Sequence, residues 1–276
     1  MSTDRKYIVV LGDGMADEPI PELGGKTPLE YANTPNMDRI ARDGMCGMMR
    51  TVPAGFEPGS DIANLSILGY DPRRYYTGRG PLEAASMGLA LGETDFAYRC
   101  NLVTIRDGIM ADFSAGHIPS TEGKRLLSDL QSAAQNSVSF HPGISYRNLM
   151  IVTGGLGSET TPPHDIVGQE IAPFLPKGRD SEVLLRYIRK SALLFANHPV
   201  NRERIAAGLS PATHIWPWSG GRAPSLPSFE EKYGKRGGII SAVDLLSGIA
   251  RYAGMDVIRV PGATGYLDTD YQAKRS

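Results

Sequence analysis

Tyr7-Ile8-Val9-Val10-Leu11 is a run of β-branched and apolar residues with no polar position in it, and Gly12-Asp13-Gly14 ends it. A strand that alternates has one wet face, whereas a continuous run predicts a strand covered on both faces, the central strand of a parallel or mixed α/β sheet. The loop at the carboxyl end of such a strand is where open α/β sheets hold their ligands. The run is too short for a signal peptide or a membrane span, so the expected location is cytoplasmic.

Helix signals follow. Thr34 is placed to cap a helix with Pro35 in its first turn, Met37, Ile40 and Ala41 as an inward stripe, and Gly44 as its stop. A second helix is expected from Ser60-Asp61 through Ile62, Leu65 and Leu68 to Gly69. From about Tyr98 the texture changes, with strand-like runs at 101–105 and 149–153. Asp180 is placed to cap a helix bearing Leu184, Ile188, Ala192 and Phe195 at helical spacing. Proline, glycine and serine from Pro211 to Ser228 predict a loop. Ser241 is expected to cap a helix over 242–253 that Gly254 stops, with a strand from Met255 to Val260, and the polar 268–276 segment looks like a helix beginning. Strand-helix material at both ends around a different middle predicts one domain inserted into another.

Composition narrows the function. With 29 basic and 30 acidic residues the chain has no net field to draw in nucleic acid or an anionic membrane, so an anionic ligand must meet a local cluster. Glycine, at 32 of 276 residues or about 12%, exceeds the usual share of roughly 7% and suggests tight turns and close backbone approaches. The two cysteines, Cys46 and Cys100, fit no metal spacing and read as small buried thiols. No Walker-type Gly-x-x-x-x-Gly-Lys-Ser/Thr loop occurs, which removes a kinase reading.

Two places can carry chemistry. Asp13, between two glycines after a strand, can ligate a hard cation or simply make a turn. Ser60, at a helix start where free N–H groups favour phosphate, can be a nucleophile activated by a metal or simply an N-cap.

The strings "VVLGDGMAD", "TPNMDRIARDG", "GFEPGSDIANLSILGYDP", "YTGRGPLEA" and "ISAVDLLSGIARYAGMDVIRVPGATGYLDT" closely resemble archaeal-type cofactor-independent phosphoglycerate mutases of the alkaline phosphatase superfamily. So do "DFSAGHI", "SYRNLMIV", "TPPHDI" and "IWPWSGG" in the middle, and the resemblance runs over essentially the whole chain. It implies an α/β, alkaline-phosphatase-like sheet domain over 1–97 and 236–276, with an inserted α+β lid over 98–235. It implies interconversion of 3-phosphoglycerate and 2-phosphoglycerate through a phosphoserine enzyme, without any 2,3-bisphosphoglycerate requirement. Two divalent ions are implied, manganese first and magnesium, cobalt or zinc as substitutes. By motif match Ser60 is the phosphorylated nucleophile and a metal ligand, and Asp13 is another metal ligand. His117, Arg147, His164, Asp165, Arg222 and Lys235 are nominated to hold the substrate. Either His117 or His164 can shuttle a proton between the glycerate hydroxyls. Trp216-Pro217-Trp218 can frame the site, although an aromatic loop packed on a domain surface is the preferred reading. The expected partner is a small-molecule substrate, with no nucleic acid and no membrane, and a homo-oligomer stays open.

The family's remaining metal ligands come from an Asp-x-x-x-His motif, an Asp-His pair and another histidine beyond the counterpart of residue 276. None of the histidines at 117, 141, 164, 198 and 214 follows an aspartate directly or at four positions. The chain is therefore expected to be C-terminally truncated relative to the family and, alone, to bind metal weakly with negligible turnover. Two other readings stay open: a phosphomonoesterase or phosphonate hydrolase of the same superfamily, and a non-catalytic phosphoglycerate-binding module.

Overall fold

The computed structural model describes residues 5–265 and 267–275. The chain divides into two compact units, Met1–Arg50 and Thr51–Ser276.

In the first unit α1 (Pro28–Tyr31) carries a reciprocal cap, in which Thr27 Oγ accepts from the Glu30 amide and the Glu30 carboxylate accepts from the Thr27 amide. Helix α2 (Pro35–Asp43) begins and ends where expected, but the Thr34 hydroxyl donates to Asp38 Oδ1 at 2.9 Å instead of capping the backbone. Two expectations fail here. Tyr7–Leu11 forms no strand and is exposed, with Val10 at 89%, and Met37 and Ile40 of the supposed inward stripe are exposed as well. The reason is physical: a strand needs a partner strand, this unit has none among its described residues, and so few residues cannot enclose a core. Cys46 is likewise exposed, not buried.

The second unit is built around β1 (Asp95–Arg106). It begins with α3 (Ser60–Ile67), α4 (Pro72–Tyr75) and α5 (Arg79–Ser86). After β1 come β2 (Ile109–Asp112), α6 (Ser120–Ser132), β3 (Val138–His141) and β4 (Arg147–Thr153). The short pair β5 (Ser158–Glu159) and β6 (Lys177–Gly178) leads to α7 (Ser181–Phe195), α8 (Pro199–Ala206) and β7 (His214–Gly221). The chain then runs through α9 (Phe229–Tyr233), β8 (Gly238–Ile240), α10 (Asp244–Tyr252), β9 (Asp256–Ile258) and α11 (Tyr271–Arg275).

Strand β1 pairs antiparallel with β4 and β7 and turns back as the β1–β2 hairpin, while β3 adds to β4. Because successive side chains alternate, β1 presents two different faces. Tyr98, Cys100 and Leu102 join Leu126, Leu127 and Leu130 of α6 and Leu184, Ile188 and Phe195 of α7 in the main core. The other face presents Ala97, Arg99, Asn101 and Val103 towards α5, Trp216 and Trp218. A buried arginine and asparagine in the middle of an apolar strand mark that second face as chemical. Strands β8 and β9 pair in parallel, joined through α10, as their flanking signals require.

The predicted loop over 211–228 contains a strand, β7. Ile215, Trp216 and Trp218 of β7 are buried, and Pro217 sits opposite Cys100 in a strand that among the described residues pairs only with β1, where a missing N–H is tolerated. Gly221 is there for space, since a Cβ on it would stand 2.0 Å from the Thr77 carbonyl oxygen. The two tryptophans are thus sheet residues, not a surface loop.

Two caps also differ. Val243, not Ser241, precedes α10, and the Ser241 hydroxyl accepts from the Val243 amide just outside it. Asp180 precedes α7 but gives its carboxylate to distant groups: the Tyr98 hydroxyl and the amides of Leu156 and Gly157, each at 2.8 Å. Burial, with Asp180 beside it, pushes the Tyr98 phenol well above its usual range. Asp180→Ala is expected to cost about 1–3 kcal/mol, since it leaves the buried Tyr98 hydroxyl and two less buried amides without their acceptor. Urea denaturation measures this, and a loss under about 0.5 kcal/mol would show those donors finding other acceptors. Among the described residues no helix is long and apolar enough to cross a membrane.

Candidate functional site

Ser60 is the first residue of α3, and Gly59 holds the N-cap position in extended conformation. The Ser60 hydroxyl is exposed and has no hydrogen-bond partner among the described residues, so it is not a cap. Next to it Asp61 is 1% exposed and receives Arg79 Nε at 3.1 Å and Nη2 at 3.4 Å. Gly59 is required by this pair, because a Cβ there would stand 2.5 Å from Asp61 Oδ1 and 2.7 Å from Arg79 Nη2. Burial alone would weaken the Arg79 charge, and Asp61 more than restores it. The neighbouring Tyr76 phenol is pushed up by burial and by Asp61.

Arg79 also ties the serine helix to the sheet. Its amide donates to Ser219 Oγ at 3.2 Å, and Ser219 lies at a β-bulge where the β1–β7 register shifts between Ala97 and Arg99. Bulges of this kind re-aim side chains next to sites.

Trp218 is directly opposite Arg99 in that register, and the Arg99 guanidinium carbon lies 4.3 Å from its ring centroid. Its Nε1 donates to Asn101 Oδ1 at 3.0 Å. The Arg99 Nε is 2.9 Å from Glu83 Oε1 on α5 but not aligned for a hydrogen bond, so the contact is a buried ion pair. Burial dominates both partners, drawing the Glu83 carboxyl up and the Arg99 guanidinium down.

From Trp218 a chain of edge-to-face rings leads outward: His164 at 5.3 Å, Phe113 6.1 Å beyond it, Tyr146 at 5.6 Å from Phe113, and His117 at 5.7 Å from Tyr146. The Arg147 guanidinium lies over Tyr146 at 5.6 Å, is exposed and has no ion-pair partner among the described residues. Three of the nominated residues, His117, Arg147 and His164, therefore share one aromatic-walled face that runs towards Arg99 and Arg79.

The others are placed differently. Asp165 is exposed beside His164, with 3.6 Å between Oδ1 and Nε2. Arg222 uses its guanidinium on backbone, donating to the carbonyls of Glu93 and Gly155 at 2.7 Å each. Lys235 is exposed just beyond α9 with no partner among the described residues. Asp13 is exposed in a turn of the first unit. Among the described residues no three His, Cys, Asp or Glu side chains cluster to hold a metal, so the expected dinuclear site finds no complete donor set.

Sequence reasoning passed over Arg79 and Arg99, and it read Asp61 only as part of a helix start. One signal was available for Arg99, a charge at the centre of the apolar run Phe96-Ala97-Tyr98-Arg99-Cys100.

A family profile described as 2,3-bisphosphoglycerate-independent phosphoglycerate mutase matches residues 41–201. The mutase of that name from Methanothrix thermoacetophila is 55% identical over 269 residues, covering 98% of this chain and 68% of its own length. A solved structure of a Pyrococcus horikoshii protein aligns with TM-score 0.75 at 32% identity, over 95% of this chain and 63% of that one. The cofactor-independent phosphoglycerate mutase structure from Thermoplasma acidophilum aligns with TM-score 0.57 at 30% identity, over 90% of this chain and 69% of that one. This chain thus spans about two thirds of the length of these relatives. A serine with a free hydroxyl at a helix start, beside a cationic aromatic face, agrees with that kinship: the chain belongs to the 2,3-bisphosphoglycerate-independent phosphoglycerate mutases.

Proposed function

We propose that these residues bind phosphoglycerate on the face lined by Arg79, Arg99, Arg147, His117 and His164, and that the enzyme interconverts 3-phosphoglycerate and 2-phosphoglycerate through Ser60. The observation that carries this is the Asp61–Arg79 pair, which joins the serine helix to that face.

The Ser60 hydroxyl gives up its proton as its oxygen attacks phosphorus, the P–O bond to the glycerate breaks, and a proton is delivered to the freed glycerate oxygen to make the hydroxyl. The glycerate reorients without leaving. Its other hydroxyl then attacks the phosphoserine, the Ser60–phosphorus bond breaks, and the proton passes the opposite way, with His117 or His164 as carrier. The phosphoryl group is held on the enzyme between the steps, which is why no 2,3-bisphosphoglycerate is needed. Arg147, exposed and with no carboxylate in direct contact among the described residues, is the cation best placed for an anionic substrate group. Arg79 and Arg99, each already paired, contribute position more than net charge.

We include in the proposal the division into a phosphatase-like part, 1–97 and 236–276, and a lid, 98–235, that keeps water from the phosphoserine. A cytoplasmic location, the absence of nucleic-acid partners and a homo-oligomer option belong to the same proposal. So do two divalent ions, manganese first, with Asp13 and Ser60 as ligands. Those two supply only part of a donor set, and no step above is routed through an ion.

The two tryptophans supply the test, because Trp218 sits against Arg99 and His164. Adding 3-phosphoglycerate is expected to give a saturable change in tryptophan fluorescence. Arg147→Met is expected to weaken binding about tenfold or more, the size of one desolvated charge contact. A flat titration, or an Arg147→Met chain that binds equally well, would remove the proposal's basis.

A further inference from the structure

We propose that Arg204, with Asp112, is a positioning residue for His117: the two clamp an unfavourable backbone so that the imidazole faces Tyr146 and the candidate site. This rests on the reading that His117 meets the substrate.

Ala115, Gly116 and His117 have φ values of 49°, 65° and 49°, three successive residues in the left-handed region. Only the glycine adopts that conformation without steric penalty, so the surroundings must hold the other two. One holder comes from inside the loop. The Asp112 carboxylate accepts from the Ser114 amide and hydroxyl at 2.7 Å each and from the Gly116 amide at 2.6 Å. Ser114 Oγ in turn accepts from the His117 amide at 3.1 Å.

The second holder is 89 residues away on α8. Arg204 is 3% exposed and engages all three of its guanidinium nitrogens. Nη2 donates to the Ala115 carbonyl at 2.8 Å, Nε to the Ser210 carbonyl at 2.8 Å, and Nη1 to Glu122 Oε2 at 2.7 Å. With every nitrogen taken, Arg204 has nothing to offer a ligand directly. The clamp is also tight, since a Cβ on Gly116 would stand 3.2 Å from Arg204 Nη2 and 3.3 Å from Ser210 Cβ. A buried arginine is expensive to desolvate, and a carbonyl merely needing a partner could be met by a smaller donor. What the rigid guanidinium fork adds is direction: it fixes the Ala115 peptide relative to α8 and α6 together, two residues before His117.

The experiment compares Arg204→Met, Arg204→Lys, His117→Ala and the Arg204→Met/His117→Ala double variant. Affinity for 3-phosphoglycerate is read by fluorescence titration, and the backbone resonances of residues 115–117 by NMR. Arg204→Met is expected to move those resonances and weaken binding about tenfold, close to the effect of His117→Ala. The double variant should bind no more weakly than His117→Ala alone, because both changes remove one contact. Arg204→Lys, which keeps its charge towards Glu122 but not the fork, should fall between wild type and Arg204→Met, and it serves if Arg204→Met does not fold. Unmoved resonances, unchanged affinity in Arg204→Met, or single-variant effects that multiply in the double variant would each overturn the positioning role. A wild-type chain that fails to bind 3-phosphoglycerate would instead overturn the functional reading beneath it.

Discussion

In a chain extended to the length of its relatives, so that the remaining metal ligands are present, Ser60→Ala is expected to lower mutase turnover by about 10⁴-fold or more while leaving 3-phosphoglycerate affinity within about threefold. The nucleophile is one atom, and its chain neighbours carry no hydroxyl to replace it: Asp61 follows it and glycine precedes it. The same variant separates catalysis from capping. A serine that capped α3 would cost about 1 kcal/mol on truncation, but Gly59 holds the cap position and the Ser60 hydroxyl is unbonded. The urea midpoint of Ser60→Ala should therefore correspond to a change of less than about 0.5 kcal/mol. Turnover within tenfold of wild type would exclude Ser60 as the nucleophile, and a phosphate adduct on the wild-type Ser60 peptide, absent from the variant, would identify it directly.

The elements read correctly from sequence are those with local causes. Helix α3 follows from its apolar spacing and from Gly69, whose φ of 76° ends the turn; α10 and Gly254, at 63°, repeat the same logic. Strand β7 was missed because its proline and glycines are breakers only in isolation. Their use here comes from tertiary neighbours, an edge position for Pro217 and the Thr77 backbone against Gly221. Tyr7–Leu11 failed in the opposite way: its strand propensity is plain, but pairing is not a property of one segment. Asp180 shows a third kind of failure, a capping residue in the right place whose carboxylate finds stronger partners 23 to 82 positions away.

The site divides along the same line. Ser60 was legible because a helix start is a local feature. His117, Arg147 and His164 were nominated by motif, and only the fold shows that Tyr146, Phe113 and Trp218 bring them to one face. Arg79 and Arg99 escaped because their importance depends on which face of β1 meets α5, and the alternation of a strand does not say which face will be wet. Once Trp218 is known to lie opposite Arg99, the buried charge explains itself.

That junction of α5 with β1 carries the second large effect, the replacement of Gly80 by alanine. Gly80 lies in the first turn of α5, and a Cβ on it would stand 2.0 Å from the Ala97 carbonyl oxygen and 3.2 Å from the Tyr98 Cα, all backbone of β1. Strand β1 cannot yield, because β4 and β7 hold both its edges. Helix α5 cannot retreat either, because Gly248 of α10 approaches its opposite side so closely that a Cβ there would be 2.0 Å from the Leu82 carbonyl oxygen. Relief would demand a shift of α5 as a body, pulling Glu83 from Arg99 and Arg79 from Asp61. Gly80→Ala is thus expected to cost about 3 kcal/mol or more, at the upper end of overpacking effects, and to abolish the tryptophan response to 3-phosphoglycerate with it. Gly47→Ala, whose added Cβ meets nothing within 4 Å, is the control and should stay within about 0.5 kcal/mol of wild type by urea denaturation. If Gly80→Ala matches that control, α5 slides freely on the sheet. The Asp61–Arg79 link could then not hold Ser60 against the cationic face, and the proposed path from serine to substrate would lose its anchor.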